Sequence, residues 1–179
     1  MTLIAVVPVG SYRGVVVSGD AEGSWPQVGW ELLAELATDP GRLALIAGNS
    51  LDGYNLALRL ARDLGLDIVW LGAAVSALPG PPSEGQLYQA VGEAELVADV
   101  DLLFSADLGI DPLGFLAQLA RRRPTVAVWP GEVVAGRARY SVPGRPDHFD
   151  RSLPDAIVLR PRPVRYPDEV PFSLERTAR

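Results

Sequence analysis

Short apolar runs alternate with amphipathic stretches along most of the chain. The apolar runs cover residues 43–47, 67–71, 95–98, 125–129 and 156–159. Apolar runs of this length are typical of parallel strands that are buried on both faces. The amphipathic stretches predict helices over residues 25–37, 54–64, 83–91 and 111–122. Strands that alternate with helices predict a three-layer α/β fold with a mostly parallel sheet.

Local signals mark where these helices begin and which side they bury. Ser83, with Gln86 three residues later, is a predicted capping box, and Asp111 before Pro112 is a typical helix start. In the first helix, Trp30 shares a helical stripe with residues 33, 34 and 37. The other tryptophans stand at positions 25, 70 and 129. Because all four lie on predicted elements, we expect them in the core.

The two ends of the chain differ from this pattern. Two β-rich runs, residues 3–9 and 14–17, predict an N-terminal hairpin within residues 1–20. The segment after Pro161 is rich in Pro and Arg, and we expect residues 161–179 to form a tail without regular structure. Residues 1–160 are therefore predicted to form a single domain.

The composition excludes several kinds of chemistry. The chain has 179 residues, no Cys, a single His at position 148 and no Lys, so all 16 basic residues are Arg. Without Cys there is no disulfide framework, thiolate nucleophile or zinc ribbon. Without Lys there is no Schiff-base chemistry, and no ammonium side chain can contact a phosphate. A single His argues against a His-rich metal site.

Charge is distributed unevenly along the chain. Residues 1–120 contain 4 Arg and 15 acidic residues, a net charge of −11, whereas residues 121–179 contain 12 Arg and 7 acidic residues, a net charge of +5. The basic C-terminal third could bind an acidic partner or a phosphate-bearing ligand, or balance its own acidic body. No apolar run approaches the length of a membrane span, and the N-terminus lacks the basic start of a signal peptide. We therefore expect a cytoplasmic protein without membrane contact.

The segment after the first predicted strand has the glycine spacing of a phosphate-binding loop. The P-loop pattern G-x-x-x-x-G-K-[ST] surrounds phosphates with backbone N–H groups, reaches them with Lys and holds Mg²⁺ with Ser or Thr. Both glycines are present here, but Tyr54 and Asn55 replace the Lys and the Ser or Thr. A glycine pair is also common in strand-to-helix turns that bind nothing. The candidate nucleotide-binding residues are Gly48, Asn49, Ser50, Leu51, Asp52, Gly53, Tyr54 and Asn55.

Two acidic residues follow the third predicted strand. Asp99 comes directly after the apolar residues 96–98, and Asp101 stands two positions later. In a P-loop protein, an Asp at the end of a neighbouring strand holds Mg²⁺, and a nearby residue positions the attacking water. Asp99 and Asp101 are therefore the candidate catalytic residues, and Asp99 is the candidate metal ligand. The alternative is that Asp99 only caps the next element.

The order of several short segments resembles one protein family. An acidic pair with Leu-Phe is followed by an Asp-Pro-Leu helix start, an Arg-rich helix end, a Trp-containing strand, a Tyr and a Pro-Gly-x-Pro-acid segment. These segments cover residues 99–104, 111–113, 116–123, 126–131, 140 and 143–147. In this order they resemble the BrxF family, the small AAA-like P-loop proteins of type 3 bacteriophage exclusion (BREX) systems.

The resemblance implies a P-loop NTPase type of fold and a role for particular residues. Gly48 and residues 53–55 would lie on the phosphate loop. Asp99 would be the Walker B acid and Asp101 the acid that follows it. Arg123 would stand near a polar position after the helix. ATP and Mg²⁺ are the cofactors that such a site would bind.

The chain departs from the family at the two positions that do the chemistry. Tyr54 and Asn55 replace the Walker A Lys and Ser or Thr, and Arg145 stands where relatives tend to have His. The resemblance therefore implies a degenerate member, a pseudo-ATPase that acts by binding other phage-defence proteins. AAA-like relatives also suggest a homo-oligomer.

Two other functions stay open from the sequence. The first is an active NTPase in which an Arg replaces the P-loop Lys, because Arg binds phosphate well. The candidates for that role are Arg121, Arg122 and Arg123. The second is a nucleic-acid-binding module, in which C-terminal arginines bind phosphates and interleaved aromatic residues stack on bases. Its candidates are Arg137, Arg139, Arg145, Arg151, Arg160, Arg162 and Arg165, with Tyr140, Phe149 and Tyr166.

Overall fold

Five α-helices and nine β-strands make up the described part of the chain. The structure is a computed structural model that describes residues 24–48 and 50–178. The helices are α1 (Gln27–Thr38), α2 (Ser50–Leu64), α3 (Leu71–Val75), α4 (Glu84–Val91) and α5 (Pro112–Ala120). The strands are β1 (Ala44–Ala47), β2 (Ile68–Trp70), β3 (Leu96–Ala98), β4 (Val126–Trp129), β5 (Glu132–Val134), β6 (Arg137–Tyr140), β7 (Phe149–Ser152), β8 (Ile157–Pro161) and β9 (Phe172–Arg176). The predicted N-terminal hairpin and Asn49 lie outside the described residues.

Six of these strands form one sheet, in the order β2-β3-β4-β1-β8-β9. The first five run parallel, and β9 is antiparallel to β8. Near the centre of the sheet, Ala44 of β1 is in register with Val126 of β4 on one side and Ile157 of β8 on the other. All four residues of β1 are buried, which explains its uninterrupted apolar run. The five predicted strands and the mostly parallel α/β sheet are confirmed.

Helices cover both faces of this sheet. Because successive strand residues point to opposite faces, β1 contributes to two hydrophobic clusters. Ile46 packs in the cluster formed with α1 and α2, whereas Leu45 packs in the cluster formed with α3, α4 and α5. None of these described helices has the length and apolar character needed to cross a membrane. The two clusters together give the predicted three layers.

A second, three-stranded sheet follows β4, and the apolar pattern does not predict it. Its strands β5, β6 and β7 are antiparallel neighbours in that order. Val133 of β5 and Ala138 of β6 are fully buried, and they belong to the same hydrophobic cluster as α5. The indole Nε1 of Trp129 donates a hydrogen bond to the carbonyl oxygen of Arg139 at 3.0 Å. This bond links the small sheet to the carboxyl end of β4.

The C-terminal segment belongs to the main sheet, so the predicted tail without regular structure is wrong. β9 pairs with β8 along five residues. Phe172 of β9 is buried, and its ring meets Trp25 edge-on with the ring centroids 5.9 Å apart. Arg176 donates two hydrogen bonds to the carboxylate of Glu35 in α1, at 2.9 and 2.6 Å. β9 escapes prediction because its stability comes from the partner strand and from these distant contacts.

Helix α1 buries a different face from the predicted one. The buried face consists of Gly29, Leu32, Leu33 and Leu36. Trp30 is 53% exposed, whereas Trp25 and Trp129 are in the core as predicted and Trp70 is half-buried. Two stripes of this helix have helical spacing, and close packing selects one of them. A Cβ at position 29 would lie 2.8 Å from Cδ1 of Leu64, so the glycine lets α1 approach α2 closely.

Candidate functional site

The carboxyl ends of the parallel strands meet at one edge of the main sheet. Gly48 follows β1, Asp99 follows β3 and Pro130 follows β4. The chain leaves β1 towards the face covered by α2, and it leaves β4 towards the opposite face. Such a point, where neighbouring strands send their connections to opposite faces, is where open α/β sheets bind ligands. This edge is therefore the first place to look for a site.

The connection between β1 and α2 is shorter than the predicted phosphate loop. α2 begins at Ser50, so only Gly48 and Asn49 separate it from β1, and the expectation of a loop through residue 53 is wrong. Gly53 is a buried helical residue, and a Cβ there would lie 3.2 Å from Cγ1 of Val128. This glycine therefore provides close helix-to-strand packing. Leu51, Asp52 and Asn55 are exposed on α2.

Tyr54 and Asp99, which stand where the P-loop Lys and the Walker B acid were expected, contact each other. The Tyr54 hydroxyl donates a hydrogen bond to Oδ1 of Asp99 at 3.2 Å. The Tyr54 ring also packs against Trp70, with the ring centroids 5.3 Å apart and tilted by 51°. Sequence patterns indicate both residues separately, but they contain no signal for this contact.

The backbone holds Asp99 in a left-handed conformation at the end of β3. Its φ and ψ are 56° and 37°, and it precedes a 3₁₀ helix over Val100–Phe104. Asp is among the few residues other than Gly that adopt this region readily. Its side chain makes no hydrogen bond that caps the 3₁₀ helix. Asp99 therefore begins the 3₁₀ helix through its backbone conformation alone, and its carboxylate contacts Tyr54 instead.

The electrostatics of this pair keep the Tyr54 phenol neutral. Burial raises the pKa of Tyr54 above its usual value, and the charge and hydrogen bond of Asp99 raise it further, with a smaller effect from Asp101. Burial also raises the pKa of Tyr140, to which Asp101 and Asp147 add. Two acidic side chains at this edge are thus accompanied by neutral phenols. A phenol cannot supply the positive charge of a P-loop Lys.

Asp99 and Asp101 are two carboxylates near the end of β3 that could contribute to a cation site. Within residues 24–48 and 50–178, no group of three or more His, Cys, Asp or Glu side chains is arranged to hold a metal ion. Mg²⁺ is usually held by one or two carboxylates together with waters and substrate phosphates. A magnesium ion at Asp99 would therefore depend on a bound phosphate, and it would compete with the Tyr54 hydroxyl.

The three arginines at the end of α5 lie at the opposite edge of the sheet. They precede β4, whereas Asp99 and Gly48 follow their strands, so about 13 Å of strand separates the two edges. Arg123 donates from Nε to the carbonyl oxygen of Ala94 at 3.0 Å, and Arg122 lies over the Tyr88 ring. Arg121 is exposed. The expectation that one of them replaces the P-loop Lys is therefore wrong.

Many of the C-terminal arginines are paired within the molecule. Their ion pairs are Arg137–Asp150, Arg139–Asp150, Arg145–Asp147, Arg160–Glu175 and Arg176–Glu35. By contrast, the side chains of Arg162 and Arg165 in the β8–β9 loop form no ion pair with any described residue. Tyr166, in the same loop, is 64% exposed. Arg151 of β7 lies over the Phe149 ring and likewise forms no ion pair with a described residue. The loop also carries Asp168 and Glu169, so its two arginines do not give it a net charge.

Two hollows flank the end of β1. One has a volume of about 590 Å³ and is lined by Gly48, Pro130, Glu132 and Arg160, among others. The other, which we call the Pro161 pocket, has a volume of about 350 Å³ and lies between α2 and the β8–β9 loop. Sequence patterns miss both, because they depend on the small sheet and on β9. Comparison with protein-family models, curated proteins and solved structures gave no match.

Proposed function

We propose that this protein is a P-loop-like subunit that acts by binding a partner and does not hydrolyse ATP efficiently. The observation that carries the proposal is the hydrogen bond between the Tyr54 hydroxyl and Asp99. It joins the two positions whose separate roles, phosphate binding and metal binding, define the chemistry of a P-loop enzyme. With the two residues engaged with each other, neither is set up for that chemistry.

Three further features support the absence of efficient hydrolysis. A turn of two residues leaves little backbone to surround a triphosphate. The neutral phenol of Tyr54 cannot stabilise charge that develops on a transferred phosphoryl group. Loss of one such stabilising donor commonly lowers a rate by about 10²–10³. The carboxylates of Asp99 and Asp101 would also repel a phosphate in the absence of a metal ion.

The β8–β9 loop is the part of the basic C-terminal third best suited to contact a partner. Arg162 and Arg165 form no ion pair within the described chain, and Tyr166 is exposed beside them. Arg and Tyr are both enriched where proteins bind one another. Each of the two arginines could pair with an acidic side chain of a partner protein, while Asp168 and Glu169 leave the loop without net charge. The resemblance to the BrxF family supports a place in a phage-defence complex.

Nucleic acid is the second candidate partner. Exposed arginines bind phosphates, and an exposed tyrosine can stack on a base. The same three residues of the loop favour it, namely Arg162, Arg165 and Tyr166. Because phosphate binding releases counterions, it would depend steeply on salt concentration. Binding of a DNA oligonucleotide that weakens at least tenfold between 50 and 200 mM salt, about the effect of two phosphate contacts, would select this candidate.

The purified protein should neither hydrolyse nor bind Mg-ATP. We expect phosphate release at background level and no change in melting temperature at millimolar Mg-ATP. Asp99→Ala should release as little phosphate as the wild type, and Asp107→Ala, a change at an exposed acid outside the site, serves as the matched control. In the native host, deletion of the gene should lower phage resistance. Expression of the Asp99→Ala variant in the deletion strain should restore that resistance. Turnover that Asp99→Ala abolishes and Asp107→Ala retains would overturn the proposal.

A further inference from the structure

The Pro161 pocket is a formed hollow with largely apolar walls. Its walls include Leu56 of α2 together with Pro161, Pro163, Val164 and Pro171. Proline fixes the backbone φ angle, so three prolines restrict the motion of the wall that the loop provides. A volume of about 350 Å³ is within the range of pockets that hold small molecules. The pocket therefore has room for a compact apolar group.

Hydrogen bonds hold the β8–β9 loop against α2. The Nη2 of Arg59 donates to the carbonyl oxygens of Pro167 and Glu169, at 2.5 and 3.3 Å. The Nε of Arg59 also pairs with Asp63, at 3.3 Å. At the base of the loop, the backbone N–H of Arg162 donates to the carbonyl oxygen of Pro171 at 2.9 Å. Arg59 is thus occupied as a tether, and the pocket does not need a ligand to take shape.

Two polar side chains that line this pocket have no partner in the described chain. The Asn55 amide and the Arg162 guanidinium form no hydrogen bond or ion pair with any described residue. Together they offer several N–H donors, and the guanidinium matches a carboxylate in a two-point geometry. Asp52 also lines the pocket, and its negative charge repels a doubly charged phosphate monoester more strongly than a singly charged carboxylate.

We propose that the Pro161 pocket binds a small carboxylate with a compact apolar body. The carboxylate is bound by Arg162, with Asn55 as a second donor, and the apolar body packs against Leu56 and the prolines. Asn55 lies one residue beyond Tyr54, but the pocket is on the β8 side of α2, away from Asp99. The inference is therefore independent of whether the protein binds or hydrolyses ATP.

Benzoate is a suitable probe, with benzyl alcohol and phenyl phosphate as matched comparisons. In ¹H–¹⁵N NMR spectra of the full-length protein, millimolar benzoate should shift the side-chain amide signals of Asn55 and the backbone signal of Arg162 in a saturable way. Benzyl alcohol, which has the ring without the charge, should bind at least about tenfold more weakly, as expected for loss of a charge-assisted hydrogen bond. Phenyl phosphate should also bind more weakly than benzoate.

Substitutions within the loop separate a specific site from a general effect of charge. Arg162→Gln should weaken benzoate binding about tenfold or more, whereas Arg165→Gln, on an exposed residue of the same loop that does not line the pocket, should leave it unchanged. The spectrum away from the loop reports whether each variant is folded. The proposal fails if benzoate causes no saturable shift, if benzyl alcohol binds equally well, or if both substitutions weaken binding to the same extent.

Discussion

Tyr54 and Asp99 show how one side chain changes what a site can do. A lysine at position 54 would bring a positive charge to the carboxyl edge of the sheet, where it could pair with a phosphate. The tyrosine brings a neutral donor, which satisfies Asp99 at 3.2 Å and packs on Trp70. The tyrosine at this position thus contributes contacts that stabilise the folded chain.

Replacement of Tyr54 by Phe should destabilise the protein. The change removes the partly buried hydrogen bond to Asp99 and should lower the free energy of unfolding by about 1 kcal/mol. Tyr88→Phe removes an exposed hydrogen bond to Glu84 and should cost less than about 0.5 kcal/mol, so it is the matched control. Urea unfolding monitored by circular dichroism measures both changes. An equal effect of the two substitutions would contradict this interpretation.

The same pair predicts a dependence of stability on alkaline pH. The pKa of Tyr54 is raised in the folded protein, so the unfolded chain releases this proton first as the pH rises. Stability from this group is therefore complete below about pH 10 and declines above it. Tyr54→Phe should show a shallower loss of stability above about pH 10 than the wild type. Identical slopes would argue against the contact.

At the scale of elements, the join between β4 and β5 depends on a close approach of two backbones. Gly131 lies in this join, and a Cβ there would collide with the carbonyl oxygen of Arg139 in β6. That carbonyl also accepts the hydrogen bond from Trp129. Neither group can move without disturbing the other, because Trp129 is fully buried. The small sheet can therefore lie this close to β4 only because residue 131 has no side chain.

Two Gly→Ala substitutions should have opposite effects for this reason. Gly131→Ala should lower the free energy of unfolding by about 2–3 kcal/mol, as typical overpacking does. Gly85→Ala, within α4 and with open space around the new Cβ, should raise it by about 0.5–1 kcal/mol through helix propensity. Thermal melting of the two variants beside the wild type measures the signs. A neutral Gly131→Ala would contradict the close approach.

For the whole molecule, the C-terminal strand joins elements that are far apart in sequence. β9 completes the sheet beside β8, and Phe172 fills the cluster under α1. Arg176 and Arg42 both contact Glu35. The side-chain hydrogen bond of Arg176 is the main reason why the pKa of Glu35 is lowered. The residues of β9 thus belong to the fold as much as those of β1 do.

Removal of residues 162–179 should therefore destabilise the whole protein. A Phe→Ala change at a buried site costs about 3–5 kcal/mol. The truncated chain loses both Phe172 and the pairing of β9 with β8, so it should melt at least about 10 °C lower or fail to fold. Phe172→Ala in the full-length protein isolates this contribution, and Tyr166→Ala, at an exposed position of the same segment, is the control with no expected effect. Unchanged melting of Phe172→Ala would refute the role of β9.

The amino-acid sequence by itself determined the main elements and the class of fold. The five parallel strands are visible because burial on both faces requires an uninterrupted apolar run, as in β1. The start of α4 is visible because Ser83 and Gln86 satisfy each other's backbone groups within four residues, and both bonds are present. The start of α5 is visible for a similar reason, because Pro112 at its first position is a signal within a few residues of the sequence. Tyr54 is a candidate because it follows the second glycine of the loop pattern, and Asp99 is a candidate because it follows an apolar strand run.

Only the tertiary structure decided how these elements and side chains meet. The hydrogen bond from Tyr54 to Asp99 spans 45 positions, and β9 gains its strand conformation from β8. Packing also decides which stripe of α1 is buried. It likewise places Arg121–Arg123 at the opposite edge of the sheet from Asp99. Local patterns report interactions between near neighbours in sequence. Contacts between distant residues depend on strand order and close packing, which no short segment encodes.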